Sequence, residues 1–150
     1  MTDVTVERDI AAPPEKVWAM ISDVTRMGEW SPEATGGAWS KGVTGPTVGA
    51  RFKGTNASGK KTWSTACRVT ACEPGRAFGF AVRGGGLPVA AWNYTITPTP
   101  DGCHVVEQWT DHRGATVKFL GRIISGVAER APHNQANMER TLAALAQAAE

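Results

Sequence analysis

Trp92-Asn93-Tyr94-Thr95-Ile96-Thr97, then Pro98-Thr99-Pro100-Asp101-Gly102, then His104-Val105-Val106-Glu107-Gln108-Trp109-Thr110-Asp111: the reading of this stretch decides the fold. On one parity stand Trp92, Tyr94 and Ile96, followed by Val105, Glu107, Trp109 and Asp111. On the other stand Asn93, Thr95 and Thr97, then His104, Gln108 and Thr110. Successive side chains of a strand point to opposite faces, so each run has one largely apolar and one polar face. The Pro/Asp/Gly cluster between them is turn chemistry. The stretch therefore predicts an antiparallel hairpin with one face turned to a core.

Upstream, the same texture repeats. Short β-rich runs at Ala38–Ser40, Val48–Lys53, Thr62–Cys72 and Ala77–Arg83 precede the pair Val89–Thr97 and His104–Asp111, with Gly-, Pro- and Asn-rich turns between neighbours. The inward parity continues through Trp63, Thr65, Cys67 and Val69, and through Phe78, Phe80 and Val82. Residues 3–10 also alternate and predict a first strand. Ala11-Ala12-Pro13-Pro14 ends it, and Pro14 suits the opening of a helix because the first helical N–H has no partner. Val17, Trp18, Ile21 and Val24 recur at helical spacing, and Ser22-Asp23 caps a second short helix ending near Gly28. Downstream, from about Thr116 to Ala149, the pattern is helical: Phe119, Ile123 and Val127, then Met138, Leu142 and Leu145. Pro132 predicts two helical segments meeting near Arg130-Ala131-Pro132.

The order is thus strand, two short helices, six strands, long helix. A sheet with one apolar face needs cover, and only the C-terminal helix is long enough to supply it. The expectation is a single α+β domain over residues 1–150: seven antiparallel strands curved around a long C-terminal helix, with two short helices after the first strand.

Composition narrows the function. The formal net charge is +2, and the basic residues are scattered, so no nucleic-acid-binding stripe is expected. Three cysteines, Cys67, Cys72 and Cys103, show no CxxC spacing, which argues against zinc and for reduced thiols. Cys67 and Cys72, five apart on one strand, are expected on opposite faces. The polar start Met1-Thr2-Asp3 and the absence of a long apolar run predict no signal peptide, no membrane span and a cytoplasmic location. The edge strand near Ala38–Ser40 leaves monomer and homodimer both open. Gly54 to Lys61 imitates a phosphate-binding loop, but Lys61 stands where Ser or Thr is required, and the context is strand–loop–strand.

Six tryptophans accompany one tyrosine, and three of those tryptophans fall on the inward parity with Tyr94 and Glu107. A filled core favours Leu, Ile and Val, which carry no polar tips. Large aromatics with polar tips suit a mostly apolar pocket with a few placed polar groups.

Several segments resemble the START-like (SRPBCC) superfamily, specifically its polyketide cyclase/dehydrase-type helix-grip proteins. They are Ala11-Ala12-Pro13-Pro14-Glu15-Lys16-Val17-Trp18, Ile21-Ser22-Asp23, Glu29-Trp30-Ser31-Pro32, Val48-Gly49-Ala50-Arg51-Phe52, Cys72-Glu73-Pro74-Gly75-Arg76-Ala77-Phe78, Trp92-Asn93-Tyr94, Val105-Val106-Glu107-Gln108-Trp109 and Met138 to Leu145. The resemblance spans essentially the whole chain. It implies a deep cavity between sheet and C-terminal helix, entered past loops at one end, and it carries over no catalytic set.

The candidate lining is Phe52, Trp63, Phe80, Trp92, Tyr94 and Trp109 from the sheet. Phe119, Ile123, Val127 and Met138 are expected from the helix, with His133 just after the proline. Glu107 is the catalytic candidate. Burial among aromatics disfavours its charged form and raises its pKa, which suits acid–base work; the structural alternative is a carboxylate paired with an indole N–H or an arginine. Three functions fit: binding or transport of a hydrophobic small molecule (lipid, acyl or aromatic); a cyclase or dehydratase using Glu107, helped by Tyr94 or His133; or a structural domain with a filled core. None of them calls for a metal or a cofactor.

Overall fold

The computed structural model describes residues 2–150. Its elements are β1 (Val4–Ile10), α1 (Pro14–Ser22), a 3-10 turn (Val24–Arg26), α2 (Met27–Trp30), β2 (Ala34–Trp39), β3 (Arg51–Ser58), β4 (Lys61–Glu73), β5 (Ala77–Gly84), β6 (Leu87–Thr99), β7 (Gly102–Asp111), α3 (Ala115–Ser125) and α4 (Arg130–Ala149). The sheet has seven strands in the order β1-β7-β6-β5-β4-β3-β2, and every pairing is antiparallel. Strands β2 to β7 form a meander, and β1 adds to its far edge. Bulges in β2, β4 and at the β5–β6 step bend and twist the strands, so that the sheet curves around the helices. This is the α+β helix-grip architecture.

α1 begins at Pro14 with Glu15 in its first turn and buries Val17, Met20 and Ile21, and the Trp18 indole N–H donates to the Ala77 carbonyl at 2.8 Å. The Asp23 carboxylate then accepts from the Thr25 amide and caps the 3-10 turn. Two glycines allow this segment to lie on β2. A Cβ on Gly28 would sit 2.4 Å from the Thr35 carbonyl oxygen, and one on Gly37 would sit 2.6 Å from the Val24 oxygen. β2 accordingly starts at Ala34, earlier than the expected Ala38. β3 likewise runs on to Ser58, turning the imitation phosphate loop into a tight hairpin.

The helical third divides differently from expectation. The break falls at Gly126, which has φ +72° and whose N–H caps α3 on the Arg122 carbonyl. This left-handed C-cap is the ordinary glycine helix stop. Pro132 is the third residue of α4, inside the first turn, where N–H groups lack intrahelical partners, so it interrupts nothing.

α4 buries Met138, Thr141, Leu142, Leu145, Ala146 and Ala149 along one stripe. Its last turns close over Ile10, Val17, Phe78, Ile96 and Val105, all at most 2% exposed. Lys16 Nζ donates to the Ala149 carbonyl at 2.8 Å and ties down the helix end. The first turns of α4, with α3, instead bound an open space against the sheet.

One parity assignment is corrected. The bulge between Val69 and Ala71 inserts a residue into β4, so Cys72 opposes Phe78 while Cys67 opposes Val82. Directly opposed residues share a face, so Cys67 and Cys72 lie on the same face. All three cysteines are free thiols.

Candidate functional site

The space between sheet, α3 and α4 is a cavity of about 470 Å³, within the usual range for small-molecule sites. The inward parity of the meander supplies its wall. Phe52, Trp63, Phe80, Trp92, Tyr94 and Trp109 all line it, with Met138 from α4. Register explains how they meet. Trp92 opposes Trp109, and their rings lie 6.4 Å apart at 46°. Phe52 and Phe80, on strands flanking β4, meet edge to face at 5.3 Å. The edge-to-face arrangement of Phe52 and Phe80 is a favoured aromatic geometry.

Four of the expected lining residues lie elsewhere. Phe119 and Ile123 are 62% and 55% exposed, and Val127 and His133 also fall outside the lining. α3 turns Val117, Leu120, Gly121 and Ile124 to the cavity instead. At about 100° per residue, Phe119 and Ile123 sit one step round the helix from that face.

Within the apolar wall one polar pair stands out. Tyr94 and Glu107 are cross-strand partners, and the Tyr94 hydroxyl donates to Glu107 Oε2 at 2.9 Å. Glu107 is 2% exposed, and its Oε1 has no partner among the described residues. Burial pushes the Glu107 carboxyl up to about 8, against a smaller lowering by the Tyr94 hydrogen bond. Burial, and then the neighbouring Glu107, hold the Tyr94 hydroxyl well above its usual range. The carboxyl's partner is thus a phenol, neither an indole nor an arginine. Near neutral pH the group is largely protonated and can donate as well as accept.

A second polar cluster sits where α4 begins. Glu33 accepts from Arg130 at 2.6 Å and pairs with His133 Nε2 at 2.9 Å. The Arg130 and Glu33 side chains are only 13% and 16% exposed. The Arg130 guanidinium also lies over the Trp63 ring, 5.6 Å from its centroid. Asn134, 3% exposed, turns its Oδ1 to Arg130 at 3.4 Å. Glu33, Arg130 and Asn134 line the cavity, and His133 stands behind Glu33. Elsewhere on the lining, Arg113 clasps Asp111 through two contacts of 2.8 Å, holding that carboxyl below its usual range. Each guanidinium on the lining is therefore matched by a carboxylate. Among the described residues no His, Cys, Asp and Glu cluster has the geometry to hold a metal ion.

The chain belongs to the polyketide cyclase/dehydrase and lipid transport family, whose model matches residues 1–150. It is similar to the solved structure of a polyketide cyclase-like protein of Corynebacterium glutamicum, at 31% identity and a TM-score of 0.66, covering 99% of this chain and 91% of that one. It shares its fold with a protein of Chromobacterium violaceum at 16% identity and TM-score 0.74, covering 98% of this chain and 96% of that one. It shares it too with the di-domain ARO/CYC protein StfQ from the steffimycin biosynthetic pathway, at 15% identity and TM-score 0.75, covering 97% of this chain and 49% of that one. No curated protein matches. No helix among the described residues is long and apolar enough to cross a membrane.

Proposed function

We propose that the protein binds a hydrophobic small molecule in this cavity, with a polar group of that molecule on Glu107. The observation that carries this reading is the buried Oε1 of Glu107, without a partner on the wall of a 470 Å³ aromatic cavity. A buried polar atom left unpaired costs on the order of 1–3 kcal/mol, and a ligand hydrogen bond relieves it. The internally matched guanidinium groups favour an uncharged ligand. The test is native mass spectrometry of the purified protein, followed by denaturing extraction and, for the apo protein, titration with an apolar fluorescent probe. A released apolar molecule, or probe binding weakened by Trp92→Ala, supports the reading. An apo protein that takes up no probe sinks it.

A second reading rests on the same pair. A carboxylic acid whose pKa burial pushes up to about 8, in hydrogen-bond reach of a bound carbonyl, is equipped for the proton transfers of a cyclase- or dehydratase-type reaction. Glu107→Gln separates the two: turnover lost with binding kept is the result expected of an enzyme.

A further inference from the structure

Six large apolar side chains are exposed among the described residues, and four of them, Phe119, Leu120, Ile123 and Ile124, lie on α3. A fifth, Leu87, is 47% exposed and lines the same cavity as Leu120 and Ile124. Leu87, Leu120 and Ile124, both exposed and cavity-lining, mark the cavity mouth, and Phe119 and Ile123 lie beside them on the outer side of α3. Clustered exposure of this kind marks an interaction surface.

The charges on α3 and at the β3–β4 tip have one sign, with the exposed Glu129 following beyond the C-cap of α3. α3 carries Lys118 and Arg122, both exposed, and no acidic residue. Lys61, at the tip of the β3–β4 hairpin, lies against the C-cap of α3: its Cγ is 3.6 Å from where a Cβ on Gly126 would stand. Lys60 precedes it in the same turn and is also exposed. We infer that α3 and the β3–β4 hairpin tip beside it form a docking surface for an anionic bilayer, with Phe119 and Ile123 entering the interface and Lys118, Arg122, Lys60 and Lys61 meeting lipid phosphates. A short helix with aromatic and aliphatic residues on one side and basic residues on the other lies in a membrane interface for these reasons. Charge favours a bilayer as the occupant: exposed apolar tips flanked by basic residues, with no acidic residue on α3, match an acyl layer beneath lipid phosphates.

The docking surface goes beyond the cavity reading and is measured without any cavity ligand. One consequence does rest on that reading. Leu120 and Ile124 touch both the cavity and the outside, so a docked protein would pass an apolar molecule between bilayer and cavity past these two side chains.

The test is co-sedimentation of the full chain with vesicles of phosphatidylcholine alone and of equimolar phosphatidylcholine and phosphatidylglycerol. The expected result is binding to the anionic vesicles, weakened about tenfold or more by Lys118→Glu with Arg122→Glu and lost with Phe119→Asp plus Ile123→Asp. The last pair is exposed, so its melting temperature should match wild type; if it does not, Phe119→Ser with Ile123→Ser replaces it. No binding, or equal binding to both vesicles that ignores these substitutions, overturns the proposal. So does a dimer in sedimentation velocity without lipid that Phe119→Asp abolishes, since a second copy would then be the occupant.

Discussion

The Tyr94 hydroxyl reaches across from β6 to Glu107 Oε2 on β7 at 2.9 Å, and the other carboxylate oxygen of this cavity-lining residue is buried without a partner. One oxygen is held in place and the other has its hydrogen-bonding capacity unmet.

That pair makes stability depend on pH in a direction opposite to a salt-bridged carboxylate. The folded protein holds the Glu107 proton up to about pH 8, whereas the unfolded chain releases it near 4.5. Between these values the folded state binds more protons, so its stability falls as pH rises. Thermal melts across this window should show the decline for wild type and a flatter profile for Glu107→Gln. Tyr94→Phe removes the hydrogen bond that lowers the Glu107 pKa, so its decline should extend to higher pH. Identical slopes for wild type and Glu107→Gln would contradict a buried, protonated Glu107.

Trp92 and Trp109 lie against each other with tilted rings but are buried unequally. Trp109 is 3% exposed, and truncating a fully buried tryptophan costs about 3–5 kcal/mol. Trp92 is only half-buried. Urea unfolding of Trp109→Ala should show the large loss, and Trp92→Ala less than half of it. Binding of an apolar probe should weaken in both. Equal destabilisation would assign Trp92 to the core.

Arg130 and Glu33 hold each other in a nearly closed environment. Removing one partner of a buried pair strands the other charge, which is costly, while removing both is far milder. Glu33→Ala and Arg130→Ala should each destabilise by about 1–3 kcal/mol, and the double variant by less than their sum. A double-mutant cycle in urea reads the coupling; additive losses would show that the contact contributes nothing.

Gly126 and Pro132 make opposite predictions about the helix break. Gly126→Ala forces an L side chain to φ +72° and should cost about 1 kcal/mol. Pro132→Ala, within the first turn of α4, should stay within about 0.5 kcal/mol of wild type. Calorimetric melts of the two variants decide which residue ends the upstream helix.

Local signals reached the sheet and half the site. Alternation between neighbours carried Phe80, Trp92, Tyr94, Glu107 and Trp109 onto the cavity face, because the β pleat is a near-neighbour property. It failed at Cys72, where a bulge adds a residue and reverses parity without an obvious mark in the sequence. On α3 the apolar arc is too broad to show its inner edge. Phe119 with Ile123, and Leu120 with Ile124, are both i,i+4 pairs, and only the packed sheet decides which pair turns inward. Glu33 and Arg130 were invisible for another reason. They are 97 residues apart, joined only by a topology that brings α2 and β2 beside the start of α4.

The pairing of β1 with β7 has a consequence for how the chain comes together. Each hairpin from β2–β3 to β6–β7 can zip between sequence neighbours, but Val4 must wait for Trp109, its register partner. Such long-range pairing is slow, because loop closure precedes any gain. During synthesis, the N-terminal strand holds Val4, Val6 and Ile10 unsheltered until β7 has emerged. Until it docks, β7 is an open edge, and open edges recruit other chains. β1 therefore acts as a latch and a guard, so that its loss would be felt first as aggregation.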